Sequence, residues 1–158
     1  MPDPILTSAR DALRRSREDV RAAIDGLPAD ALNWRPAGDD TNSIAAMANH
    51  ALRSTRHWLC VAVDEPLAER DRPTEFEYTA RDAGELLAFV DGLFEQCLDL
   101  VDKERTVDWG ALRKHWDATR DIELFAAWAL LHALEHIREH VGQMALTRQL
   151  WEAQSPAP

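Results

Sequence analysis

The chain has 158 residues, 46% apolar and 29% charged, and its 28 acidic against 18 basic side chains leave a formal net charge of −10. One domain of this length can bury a core without staples. The acid excess argues against nucleic acid, which needs clustered Lys and Arg; no apolar run reaches the roughly 20 residues of a membrane span; and Met1-Pro2-Asp3-Pro4 has neither the basic nor the apolar region of a signal peptide.

The first predicted helix covers 7–25. Leu6, Ala9, Leu13, Val20, Ile24 and Leu27 recur at three- and four-residue steps, and Gly26 and Pro28 end the pattern. Residues 27–41, with Trp34 and a Gly-Asp-Asp turn, read as a loop. The second helix opens at Asn42-Ser43, both good N-caps, and continues through Ile44, Ala48, Ala51, Leu52, Thr55, Trp58, Leu59 and Ala62. A charged loop spans 64–78. The third helix is expected from Thr79, with Asp82 as a weak variant of the capping box, and its stripe is Ala83, Leu86, Leu87, Val90, Leu93, Phe94, Cys97 and Val101. Residues 102–120 read as a loop with a short helical turn. No alternating stretch makes a convincing strand. The fourth helix is expected over 121–151, about 45 Å long. Four amphipathic helices predict an all-α four-helix bundle, one domain over 1–152 with a flexible tail over 153–158.

Cys60 and Cys97 fall in apolar helical patterns and form no CxxC. They read as buried thiols of a reducing compartment, which places the protein in the cytoplasm. The tryptophans, notably Trp34, Trp58, Trp109 and Trp128, read as core anchors.

The histidines carry the chemistry. Of six, three stand at four-residue steps, as His132-Ala-Leu-Glu-His136-Ile-Arg-Glu-His140. Chance gives roughly 0.2 such i,i+4 pairs for this histidine content. On a helical wheel centred on His136, His132 and His140 lie about 40° to either side, and Phe125, Ala129, Gln143 and Thr147 fall within about 20° of the line. A solvated face would carry Lys, Arg and Glu there. Imidazoles at i and i+4 have Cβ atoms about 5–6 Å apart, so both nitrogens can reach one ion at about 2.0–2.1 Å. A third ligand must come from another helix. His50, preceded by Asn49, is the candidate, although it lies about 140° from the centre of the apolar stripe of its helix. Either that broader arc faces the fourth helix or His50 is on the surface. The alternative to a metal site is a helix whose core and surface histidines happen to align.

Two stretches resemble a known family. His132-Ala-Leu-Glu-His136-Ile-Arg-Glu-His140-Val-Gly-Gln143-Met-Ala-Leu-Thr-Arg148-Gln-Leu-Trp151, an HxxxHxGQ core with a Leu/Arg-rich tail, resembles the last helix of the DinB superfamily, the YfiT-like metalloenzymes. Gly26-Leu-Pro-Ala-Asp-Ala-Leu-Asn-Trp34-Arg-Pro, then Asn42-Ser-Ile-Ala-Ala-Met-Ala-Asn-His50, resembles the loop and helix that carry the family's first histidine. The similarity runs in order along nearly the whole chain and is weakest over 65–120. It implies a four-helix bundle in an up-up-down-down arrangement, a homodimer, and a divalent metal held by His50, His136 and His140. His132 is then an orienting or structural residue.

Three neutral imidazoles leave an open coordination position, as catalytic rather than structural sites do. Zn²⁺ suits the set, and Ni²⁺ or Fe²⁺ would also be accepted. Water or a substrate thiol bound there would lose a proton more readily, so no protein nucleophile is needed. Characterised relatives handle low-molecular-weight thiols, which implies a metal-dependent transferase acting on thiols or thiol adducts, or a related hydrolase or isomerase. The alternative is a non-catalytic dimeric, damage-inducible binding protein with a vestigial site. Gln143, Glu139, Asn49 and His132 are the candidates to orient the ligands or meet a small-molecule substrate. Glu135 and Glu139 equally read as surface carboxylates pairing with Arg138 or the first helix. Arg148 reads as a structural salt bridge, and His57 and His115 as exposed or partner-facing.

Overall fold

The structure is a computed structural model that describes residues 3–67, 69–102, 105–116 and 121–154. Four long helices dominate it: α1 (Pro4–Ile24), α3 (Ile44–Val63), α5 (Ala83–Asp102) and α6 (Ala126–Gln154). Short helices α2 (Ala29–Asn33) and α4 (Arg72–Glu75) interrupt the two long connections. A hairpin of β1 (Leu112–Trp116) and β2 (Asp121–Phe125) precedes α6.

The helix starts follow side-chain chemistry. The Asp3 carboxylate accepts from the N–H groups of Ile5 and Leu6, and Pro4 sits at the first helical position. That signature puts the start of α1 three residues before the expected one. Ser43 caps α3 through the Ala46 N–H, as expected. For α5 the expected start at Thr79 moves to Ala83. Asp82 accepts from the Glu85 N–H at 2.8 Å, and Glu85 reaches back to the Arg81 N–H at 3.1 Å, so a nearly reciprocal capping pair sits one turn later.

The hairpin corrects the reading of 102–125 as loop and helix. Leu112 pairs with Phe125, Arg113 with Leu124 and Lys114 with Glu123 in antiparallel register. Read locally, Ile-Glu-Leu-Phe fits the first turn of the last helix, but local pattern does not separate a five-residue strand from a helix end. The Ala126 and Ala127 N–H groups bond to the carbonyls of Ala111 and Trp109, so the hairpin itself starts α6. At the other end α6 runs through Gln154; residues 155–158 of the expected tail lie outside the described residues.

Two buried clusters show how the helices run. One joins Leu6–Leu13 of α1, the end of α3 (Leu59–Val63), the end of α5 (Cys97–Val101) and the start of α6 (Ala126–Ala133). The other joins Val20 and Ile24 of α1, Ile44–Leu52, Leu86–Phe94 and Ile137–Met144. Hence α1 and α6 run one way and α3 and α5 the other. The bundle is up-down-down-up, which corrects the expected up-up-down-down order. The reason lies in the connections. Residues 64–82 return along the length of the bundle, so α3 and α5 are parallel neighbours. A segment of that length reaches about 60 Å extended, against about 30 Å for a 20-residue helix. Asp64, in the left-handed region at φ 62°, turns the chain out of α3 into this crossover.

Ion pairs lock α1 to α5. Arg17 holds Asp91 and Glu95, Arg21 also meets Asp91, and Arg10 meets Asp102. Arg148 makes the expected salt bridge, with Glu152 one turn on, and also donates to the carbonyls of Ala22 and Asp25 at the end of α1. Among the described residues no helix is long and apolar enough to cross a membrane.

Candidate metal centre

Three histidines meet between α3 and α6. The ring of His50 lies 5.1 Å from that of His136 and 5.3 Å from that of His140, centroid to centroid, and the latter two are 4.7 Å apart. One ring nitrogen from each falls within 4.8 Å of the others. Four-residue spacing on α6 brings His136 and His140 together. The antiparallel packing of α3 on α6 brings His50.

His50 is 3% exposed, so the surface alternative for it falls away. From Ile44 to Leu52 every residue of α3 is buried. A helix stripe cannot report this, because α3 is covered on more than one side. The crossover supplies the extra cover: Phe76 stacks on the His50 ring at 4.2 Å and 29°. Glu75, also 3% exposed, accepts a hydrogen bond from His50 Nδ1 at 2.9 Å. The Arg70 guanidinium clamps both oxygens of that carboxylate, Nε to Oε1 at 2.7 Å and Nη2 to Oε2 at 2.8 Å.

Glu75 and Arg70 are functional candidates that sequence reasoning missed. Their stretch carries no periodic pattern, and nothing local distinguishes Glu75 from the other acidic residues of the loop. Asn49, expected near the site, serves Glu75 from behind. Its Nδ2 donates to the Glu75 carbonyl at 2.9 Å, and its Oδ1 accepts from Arg53 at 2.8 Å. Arg35 of the loop after α2 donates to the Phe76 carbonyl at 2.9 Å, so that loop holds the crossover against His50.

On α6, His140 Nδ1 donates to Gln143 Oε1 at 2.7 Å, and Gln143 Nε2 donates to Glu139 Oε1 at 3.2 Å. Gln143 therefore orients a ring, and Glu139, which is exposed, reaches the site only through it. Glu135 is exposed, and Arg138 pairs with Asp19 of α1 instead. His132 packs away from the trio's centre. It stacks on Trp128 at 4.8 Å and 15°, meets Trp58 edge-on at 4.9 Å, and lies 5.8 Å from the His136 ring. Trp128 is 48% exposed, so it is no core anchor. Trp34 packs edge-on against Trp151, and Trp109 donates to Asp3. His57 is half-buried with its ring edge-on to Trp58; the side chain of His115 lies outside the described residues.

The electrostatics favour neutral imidazoles with free lone pairs. Burial, then the neighbouring rings of His140, His50 and His132, push His136 down to about 3. Burial and His50 also lower His140, against the opposing pull of Gln143 and Glu139. Burial alone would raise Glu75, but hydrogen bonds from His50 and Arg70 hold it below the usual carboxylate range. His136 Nδ1 is buried without a hydrogen-bond partner among the described residues. Such an orphaned nitrogen beside two oriented imidazoles fits a cation, since buried polar atoms otherwise find partners. The residues present could hold a metal ion in a nitrogen set. Cys97 is fully buried and its thiol is pushed up to about 12 by burial, so it stays an unreactive core residue, as expected.

The family model of the DinB superfamily matches residues 12–144. The chain belongs to the DinB superfamily. A solved relative of this fold is the conserved protein of a locus from Enterococcus faecalis, with a TM-score of 0.74 and 13% identity over 98% of this chain and 99% of that one. At that identity the likeness is one of fold alone. Comparison with curated proteins returned no match. The all-α bundle agrees with DinB membership. Glu75 and Arg70, which hold the His50 ring, fall inside 65–120, where the sequence resemblance is weakest.

Proposed function

We propose that this DinB protein holds one divalent ion with His50, His136 and His140 and acts as a metal-dependent transferase on low-molecular-weight thiols or thiol adducts. One observation carries the metal reading: three rings converge, and two of them are tied at Nδ1 to protein oxygens, His50 to Glu75 and His140 to Gln143. Tying Nδ1 fixes the tautomer that leaves Nε2 as the ligand atom. The set suits Zn²⁺ or Ni²⁺ and accepts Fe²⁺.

A divalent ion in three imidazoles keeps an open position and lowers the pKa of a thiol or water that reaches it. The chain's own residues prepare that position. Glu75 and Arg70 keep the His50 ring in place, and Phe76 covers its face. Gln143 does the same for His140. The stacked pair of His132 and Trp128, with Trp58, forms an aromatic wall beside His136. The thiol preference rests on the family resemblance. We extend the reading to a cytoplasmic homodimer; exposed Trp128 and Leu131 near the start of α6, and Leu146 and Leu150 near its end, support the dimer.

The test is metal content per chain by elemental analysis, on protein made without a polyhistidine tag, beside the His136→Ala/His140→Ala double variant. About one ion per chain in the parent and none in the variant is the expected result, and it opens a screen of thiol substrates with and without chelator. No metal in either protein after incubation with Zn²⁺ and Ni²⁺ moves the function to the non-catalytic binding role.

A further inference from the structure

Two clefts of about 380 and 230 Å³ open along α3 and share Arg53, Glu69 and Arg70. The larger is lined by Asp71, Glu75 and Glu77 as well, so its charge is mixed. The smaller differs. It gathers Arg53, Arg56 and Arg70 with buried Leu93 and with Gln96, and Glu69 is its one carboxylate. In a chain with 28 acidic and 18 basic residues, arginines readily find carboxylates. Arg17, Arg70, Arg105 and Arg138 all do. Arg56 is half-buried yet makes no ion pair or hydrogen bond among the described residues. Among the described residues Arg53 bonds only to the neutral oxygen of Asn49, and its guanidinium lies 5.9 Å from the Phe89 ring.

Three residues apart on α3, Arg53 and Arg56 project to the same side of the helix. Guanidinium groups stay charged at any working pH, and their planar forks match carboxylate and phosphate oxygens. Two of them facing one small cleft, with Glu69 its one carboxylate and Arg70 already paired with Glu75, leave a net positive site. We propose that this cleft binds a small oxyanion, a carboxylate or a phosphate, held by Arg53 and Arg56 beside Arg70. Arg70 ties the cleft to the histidine cluster, since the same guanidinium clamps the Glu75 carboxylate that holds His50. None of the three histidines lines the cleft, so anion binding there does not require a metal.

Thermal unfolding of the full chain tests this, after chelation and dialysis to remove metal. Inorganic phosphate and succinate are titrated separately, each against sodium chloride of equal ionic strength. A ligand that binds only the folded chain raises the melting midpoint saturably. We expect such a rise with at least one of the two anions and none with chloride; whichever acts names the class. Arg56→Gln should weaken the apparent Kd about tenfold or more, and Arg56→Lys should recover part of it. Arg56 makes no ion pair or hydrogen bond among the described residues, and the midpoint without anion checks that the substitution leaves the fold intact. Arg53→Gln gives the second check. The His136→Ala/His140→Ala variant should respond to anion as the parent does, which separates this site from the metal reading. No saturable response to either anion, or an unchanged response in Arg56→Gln, overturns the proposal.

Discussion

His50 Nδ1 donates to Glu75 Oε2 at 2.9 Å across 25 residues of chain, and both side chains are all but sealed from solvent. A buried carboxylate needs compensation, and Arg70 with His50 provides it. Partners of this kind orient metal-ligating imidazoles, and losing one typically costs about 10–100-fold in metal affinity. Glu75→Gln should therefore weaken Zn²⁺ binding by about that factor in competition with a chromophoric chelator. Unchanged affinity would mean that Glu75 only packs.

Gln143 plays the same part for His140 from an exposed position. Water can replace an exposed amide, as it cannot replace the buried carboxylate. Gln143→Ala should thus weaken Zn²⁺ binding less than Glu75→Gln does in the same competition. The reverse order would show that burial does not rank these two contacts.

Acid should destabilise the metal-free protein through His136. Its folded value is pushed down to about 3 from an ordinary 6.5. Between those values the unfolded chain binds the extra proton, so stability rises with pH across that window. It is fully present above 6.5 and is lost as pH falls toward 3. Glu75 adds in the same direction at the acid end, because its folded value is also lowered and its contribution disappears as it protonates. Melting midpoints should fall steadily from pH 7 to pH 4.5, and the fall should be shallower in His136→Ala. A flat profile would contradict the burial of a neutral imidazole.

Core and cap substitutions should separate stability from binding. Leu52 and Phe94 are fully buried in the cluster nearest the histidines. Leu52→Ala should cost about 2–5 kcal/mol and Phe94→Ala about 3–5 kcal/mol in urea unfolding. Asp3→Ala removes the α1 cap and should cost about 1 kcal/mol. That variant lies far from the site, so its metal content should match the parent's; loss of metal in it would show that the ends of the bundle are coupled to the site.

The amphipathic stripes of α1, α3 and α5, the Ser43 cap and the four-residue spacing of His136 and His140 all depend on contacts between near neighbours in the chain. A helix repeats every 3.6 residues, so its faces are written locally and the amino-acid sequence determines them by itself. The family resemblance rests on the same local stretches. Only the tertiary structure decided the rest. Whether His50 faced inward turned on what covers α3, and the cover is Phe76 and Glu75 from a crossover with no periodic signal. The helix directions turned on the path of that same crossover, and the hairpin turned on pairing between Leu112 and Phe125. Such contacts join residues far apart in sequence, where the chain's route through space, not its local pattern, selects the partner.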